Sequence, residues 1–135
     1  FYAWKGSDAY CNDKQIKVSA VDKMENSLVA VGFSYSAITG IEGYLDTVAS
    51  YQLNTDGIRR LGSAATDLVY VACGRVDIFS QLNLSPWDVA AGALIAQRAG
   101  ATVTDYTGGS NFIFGKQVIA ATPKVYDEFI KTIKL

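Results

Sequence analysis

The chain has 135 residues, half of them hydrophobic, and its formal net charge is −1. This composition excludes an intrinsically disordered chain, and the balanced charge and the lack of any apolar run of transmembrane length predict binding to neither nucleic acid nor membrane. The absence of histidine excludes a Ser-His-Asp triad, a Cys-His pair and any histidine-bound metal within the chain, so a metal held here must be a hard ion with oxygen ligands, such as Mg²⁺.

The first twenty residues are predicted to form paired strands. Residues 2–4 and 9–11 are strand candidates separated by turn formers at 6–8, and residues 16–19 alternate apolar and polar side chains. The chain begins on Phe1 within this strand pattern. That start favours a piece of a longer protein.

From residue 28 onward, predicted strands and helices alternate. Strands are predicted at residues 28–32, 58–61, 76–79, 102–104 and 118–121, and helices at residues 38–51, 63–73, 85–100 and 125–134. This alternation is typical of a three-layer α/β domain, in which helices cover both faces of a central sheet. Sites in such domains form at strand ends and helix N-termini.

One helix start lies at Ser85. Ser85 is a good N-cap, Pro86 fits the first helical position, and Asp88 follows the cap by three residues. The small apolar residues that come next predict a buried helix, with Trp87 largely buried and Asp88 at the mouth of a cleft. Asp88 is either the acidic member of a capping box or a metal ligand or base, and this segment alone does not decide between them.

A second helix start follows Gly62. Ser63 supplies a hydroxyl, and the residues after it supply free backbone amides that favour anions or hydroxyl oxygens. The strand predicted at residues 76–79 and Gln81 lie between the two helix starts in sequence. Both helix starts are therefore expected to border one cleft.

The two cysteines, Cys11 and Cys73, have neither metal-binding nor redox-motif spacing. Two buried thiols in a reducing compartment are the expected state, which favours the cytoplasm.

The order of these motifs closely resembles that of the inositol monophosphatase family. The segments that carry the resemblance are 5–12, 62–65, 71–77, 86–92 and 99–105, and the Pro86-Trp87-Asp88 helix start is the most specific of them. The resemblance runs along the whole chain but covers only the C-terminal half of such an enzyme. It implies a layered α-β-α sandwich at residues 21–135, and at residues 1–20 a strand remnant of the N-terminal domain's antiparallel sheet.

The family resemblance also implies an activity, Mg²⁺-dependent hydrolysis of small phosphate monoesters by a homodimer. In that mechanism the metal polarises the phosphate and activates a bound water for in-line attack. The substrate would be inositol monophosphate or a related sugar or nucleotide phosphate. Asp88 matches the aspartate of the family that ligates the metal and contacts the substrate.

The resemblance implies substrate contacts at further positions. Gly62, Ser63 and Ala64 match a stretch that contacts substrate hydroxyls, and Ser34 roughly matches another substrate-proximal position. Gln81 stands where inositol-specific members carry a glutamate. Because an amide donates as well as accepts hydrogen bonds, this departure puts an inositol preference in doubt.

The sequence lacks the Asp-Pro-(Ile/Leu)-Asp-Gly-Thr loop that holds most metal ligands in the family. We therefore predict that the isolated chain binds no metal at Asp88 and is inactive, and that the missing N-terminal half is its partner. The alternative is a non-catalytic α/β binding or dimerisation domain.

Overall fold

A computed structural model describes residues 1–33 and 41–133, and within them the strands form two sheets. The small antiparallel sheet pairs β1 (Ala9–Cys11) with β2 (Lys14–Ile16). The central sheet has five strands: β3 (Leu28–Gly32), β4 (Gly57–Arg59), β5 (Ile78–Leu82), β6 (Thr102–Thr104) and β7 (Gln117–Ala121). Their spatial order is β4-β3-β5-β7-β6, with β3 parallel to β4 and β5, and β7 antiparallel to β5 and β6.

Four α-helices cover the two faces of the central sheet: α1 (Ile41–Asn54), α2 (Ala64–Ala72), α3 (Pro86–Arg98) and α4 (Pro123–Phe129). Side chains alternate along each strand, so Ala30 and Phe79 share one hydrophobic cluster with α2 and α3. Val29 and Ile78 share the other cluster with α1 and α4. The predicted α-β-α sandwich is confirmed.

Helices α2 and α3 pack closely because Gly92 of α3 has no side chain where the two helices meet. A Cβ on Gly92 would come within 2.8 Å of the Cβ of Leu68, so only glycine permits this approach. Leu68 and Val89 are fully buried, and burial of such side chains contributes about 1.5–3 kcal/mol each.

The strand predicted at residues 76–79 is displaced, since β5 spans Ile78–Leu82. Asp77 instead joins separate segments, because its carboxylate accepts hydrogen bonds from the Leu28 amide at 2.7 Å and the Ser19 hydroxyl at 2.5 Å. The last predicted helix, which Pro123 was expected to open, does begin at Pro123 but is shorter than predicted. It ends at Phe129, where a 3₁₀ turn, Ile130–Thr132, follows.

The N-terminal strands are shorter than predicted. In place of a strand at residues 2–4, Tyr2 makes a single bridge to Tyr10. Residues 17–19 leave the small sheet because the Val18 amide donates to the Ala99 carbonyl oxygen at 3.1 Å, beyond the end of α3. That this sheet belongs to a larger N-terminal domain stays a prediction.

Two further expectations concern burial and membranes. Cys11 and Cys73 are free thiols, but both are half-buried and not fully buried as expected. Across residues 1–33 and 41–133, no helix combines the length and apolarity needed to cross a membrane.

Candidate functional site

The parallel strands β4, β3 and β5 end at the same edge of the sheet, and a cavity of about 350 Å³ opens there. Carboxyl ends of parallel strands are the usual place for ligands in α/β folds. The lining residues are Gly32, Phe33, Arg60, Gly62, Ser63, Ala64, Ala65, Gln81, Asn83, Leu84, Trp87 and Asp88. Five residues predicted from the sequence to act together therefore share one cavity: Gly62, Ser63, Ala64, Gln81 and Asp88. The remaining one, Ser34, lies outside the described residues.

The N-terminus of α2 forms one wall of the cavity. Gly62 has φ +93°, a left-handed conformation that favours glycine. Ser63 is the N-cap, and its hydroxyl oxygen accepts a long hydrogen bond of 3.4 Å from the Thr66 amide. The backbone amides of the first turn have no partner within the helix, so this wall offers hydrogen-bond donors and a partial positive charge.

Asp88 lines the same cavity from the first turn of α3. Its Oδ2 accepts a hydrogen bond from the Ser85 amide at 2.9 Å, which completes the capping interaction that the sequence predicted. No described residue donates to Oδ1, and the side chain is only half-buried. Capping therefore occupies one oxygen and leaves the other for a ligand.

Gln81 forms part of the cavity floor near the end of β5. It pairs in register with Gly32 of β3, and its amide group fills the volume that a Cβ at residue 32 would need. Gln81 is 9% exposed, lines the cavity, and makes no side-chain hydrogen bond to a described residue. The amide group therefore reaches the cavity, where it can donate or accept a hydrogen bond.

Arg60 and Phe33 form the rim at the ends of β4 and β3. The guanidinium carbon of Arg60 lies 5.8 Å from the centroid of the Phe33 ring, which is cation–π range. On another side, the Phe33 ring packs edge-on against Tyr44, with centroids 5.6 Å apart. One of the two adjacent arginines lines the cavity. Arg60 does, whereas the Arg59 guanidinium donates to the carbonyl oxygen of Ile58 and does not line the cavity.

A buried network of hydroxyls supports the floor from the other face of the sheet. Tyr44 donates to the Gly32 carbonyl oxygen at 2.7 Å. The Ser80 hydroxyl lies 3.1 Å from that of Tyr51 and 2.6 Å from that of Tyr106. Burial raises the pKa of each of these tyrosines, so the hydroxyls stay protonated. Sequence reasoning missed this network because Ser80 was assigned to a loop.

Trp87 departs from its prediction. It was expected to be buried beneath Asp88, but it is 83% exposed at the rim of the cavity. The core-facing positions of α3 are taken by the buried residues that begin with Val89. Trp87, two positions earlier on the helix, therefore points outward.

The model of the inositol monophosphatase family matches residues 1–134. The chain belongs to the inositol monophosphatase family. This confirms the resemblance read from the helix starts at 62–65 and 86–88.

Individual relatives agree with that membership. The Nus factor SuhB of Pseudomonas aeruginosa is 38% identical over 136 residues, covering 99% of this chain and 50% of that protein. The crystal structure of the extragenic suppressor protein suhB from Bartonella henselae gives a TM-score of 0.92 at 38% identity, over 98% of this chain and 50% of that one. The structure of an inositol monophosphatase from Anabaena gives a TM-score of 0.83 at 33% identity, over 95% of this chain and 51% of that one. The chain spans about half the length of the relatives it matches.

Within residues 1–33 and 41–133, no group of three or more His, Cys, Asp or Glu side chains is placed to hold an ion. Mg²⁺ requires near-octahedral oxygen coordination, and the cavity offers one carboxylate, Asp88. Asp105, an acidic residue outside the cavity, accepts hydrogen bonds from Thr107 and Gly109. Those bonds, led by the Thr107 hydroxyl, lower the pKa of Asp105 and give it a structural role in its loop.

Proposed function

We propose that this chain is the substrate-binding part of a Mg²⁺-dependent hydrolase of small phosphate monoesters. The observation that supports it is that Asp88 and the N-terminus of α2 line one cavity. Asp88 would be one ligand of the metal, and the remaining ligands would come from outside these 135 residues. We further propose that the full-length protein is a cytoplasmic homodimer.

The residues of this chain would bind and orient the substrate. The amides after Ser63 donate hydrogen bonds to oxygen atoms of the sugar or cyclitol next to the ester. The Gln81 amide, held over Gly32, donates or accepts on the cavity floor. Asp88 brings the negative charge that a divalent cation needs.

Release of inorganic phosphate tests this function. We expect the full-length protein with Mg²⁺ to hydrolyse inositol 1-phosphate or fructose 1-phosphate, and the purified 135-residue chain to hydrolyse neither. Robust hydrolysis by the 135-residue chain would contradict the proposal that the remaining metal ligands come from outside these residues. A full-length protein that releases no phosphate from any small monoester would contradict the proposed activity itself.

The second candidate is a non-catalytic binding domain. Two observations favour it: several curated relatives bear the name Nus factor SuhB, and the described residues contain no carboxylate cluster. The same experiment separates the two candidates, because a folded full-length protein of this second kind would bind a partner and leave phosphate esters intact.

A further inference from the structure

Ser80 is a small polar residue at a fully buried strand position. Its register partners on β3 and β7, Val31 and Ile119, are buried and apolar. Because side chains alternate along a strand, Ser80 points to the same face as Ile78, which packs with α1 and α4, whereas Gln81 points to the cavity. The short side chain of Ser80 leaves room for larger groups on its face of the sheet.

Three tyrosines fill that room. The Ser80 hydroxyl lies 3.1 Å from the hydroxyl of Tyr51 and 2.6 Å from that of Tyr106. Tyr44 and Tyr51 lie two turns apart on α1, so their rings face the sheet from the same side of the helix. An unpaired buried hydroxyl costs free energy, and this arrangement gives each hydroxyl a hydrogen-bond partner.

Tyr44 differs from the other two tyrosines because its hydroxyl bonds to the backbone. It donates to the Gly32 carbonyl oxygen at 2.7 Å and lies 3.3 Å from the carbonyl oxygen of Ser80. These two carbonyl groups belong to the neighbouring strands β3 and β5, and the second is part of the peptide unit that leads into Gln81. A hydroxyl has a single proton, so both carbonyl groups share one donor. One hydroxyl therefore ties the two strands together beneath Gln81.

The Gln81 amide depends on this tie because it rests on the backbone of Gly32. The two residues pair in register, and a Cβ on residue 32 would collide with Oε1 of the amide. The position of the amide in the cavity therefore follows the relative position of β3 and β5. Hydrogen bonds weaken steeply as their angle closes, so a small shift of either strand changes what the amide can bind.

We infer that Tyr44 is a positioning residue for Gln81. Tyr44 itself does not line the cavity. Its hydroxyl fixes the two backbone positions that hold the Gln81 amide towards the substrate. This inference rests on the proposed function, which gives Gln81 a hydrogen bond to the substrate. The Tyr44 hydroxyl thereby contributes to substrate affinity from the opposite face of the sheet.

Tyr44→Phe tests this role, because it removes the hydroxyl and keeps the ring that packs against Phe33. In the full-length protein with Mg²⁺, we expect KM for inositol 1-phosphate to rise about three- to tenfold, within the range for one neutral hydrogen bond, and kcat to change less than about twofold. Tyr126→Phe is the matched control. Its hydroxyl bonds to Thr104 on β6, at the far edge of the sheet, so its removal should leave KM unchanged.

A double-mutant cycle shows whether Tyr44 acts through Gln81. In a Gln81→Ala background the amide is gone, so the addition of Tyr44→Phe should raise KM by less than about 1.5-fold. The same factor in both backgrounds would show a general effect of a weakened fold, and an unchanged KM in the single variant would remove the role. Either result would overturn the inference.

A measurement without catalysis keeps the inference testable when the proposed activity fails. Nuclear magnetic resonance of the full-length protein labelled with ¹⁵N-glutamine reports the side-chain NH₂ group of Gln81, identified as the signal that Gln81→Ala removes. We expect Tyr44→Phe to shift this signal and Tyr126→Phe to leave it in place. An unmoved signal in Tyr44→Phe would refute the positioning role whether or not the protein hydrolyses phosphate.

Discussion

Gly32 and Gln81 are paired in register on neighbouring parallel strands. The Gln81 side chain fills the space that a side chain at residue 32 would occupy. A Cβ on residue 32 would overlap the Gln81 amide. The carbonyl oxygen of Gly32 is held from the opposite face by Tyr44. The floor of the cavity therefore depends on both residues together.

Gly32→Ala should displace the Gln81 amide and destabilise the fold by about 1 kcal/mol, the low end of the cost of overpacking, because the colliding atoms are the end of a flexible side chain. Urea unfolding measures this change. Gly57→Ala on β4 is the matched control, because a Cβ there meets its nearest atoms at 3.4 Å and 3.9 Å, in ordinary contact.

The two residues should also be coupled. Truncation in Gln81→Ala removes the atoms with which the new Cβ collides, so the double variant should be more stable than the sum of the single effects predicts. Strict additivity in the double-mutant cycle would show that Gln81 does not occupy this space in solution.

Asp88→Asn should separate the proposed metal-binding role of this residue from its capping role. The asparagine side chain keeps an oxygen that accepts the Ser85 amide, so the free energy of unfolding should change by less than about 1 kcal/mol. Phosphatase activity of the full-length protein should fall by at least about a hundredfold, because a charged metal ligand is lost. Asp127→Asn, an exposed change on α4, should leave activity intact. A fully active Asp88→Asn protein would remove Asp88 from the site.

Gln81→Glu should shift the substrate preference towards inositol 1-phosphate. A carboxylate only accepts hydrogen bonds, so it suits the hydroxyl donors of a cyclitol and repels a second anion. We expect the ratio of kcat/KM for inositol 1-phosphate to that for fructose 1,6-bisphosphate to rise about tenfold. Gln81→Met, of similar length but apolar, should lower binding of both substrates without reversing the preference. A ratio that does not move would exclude Gln81 from substrate selection.

Asp67 on α2 is fully buried, and within the described residues neither carboxylate oxygen has a hydrogen-bond partner. Desolvation raises the pKa of Asp67 from 3.8 to about 6. Well below pH 3.8 the carboxyl is protonated in both the folded and the unfolded chain, and there is no penalty. As pH rises to about 6, the unfolded chain loses the proton first, so the fold is destabilised by on the order of 3 kcal/mol.

Asp67→Asn should remove this pH dependence. The free energy of unfolding of the wild type, relative to the variant, should decline between pH 4 and about 6 and level off above. Urea titrations at a series of pH values measure the difference, and Asp127→Asn serves as the control for an exposed carboxylate. A constant difference between wild type and Asp67→Asn across this range would show that Asp67 has a partner in solution.

The sequence was sufficient where the signal is local. The apolar run at Leu28–Gly32 predicted a strand buried on both faces, and Ser63 and Ser85 predicted two helix starts within a residue of their observed positions. Caps, prolines and apolar periodicity act over a few neighbouring residues. For the same reason the motifs at those helix starts sufficed to name the family.

Tertiary structure decided the rest, because the partners come from distant elements. Ser80 and Gln81 are polar, and sequence alone placed them in a loop. Both are buried strand residues in the fold. The Ser80 hydroxyl forms hydrogen bonds with Tyr51 and Tyr106, and the missing side chain of Gly32 leaves space for Gln81. Nothing local distinguishes Arg60 from Arg59. In the fold Arg60 lies over the ring of Phe33, which follows the neighbouring strand β3, and lines the cavity.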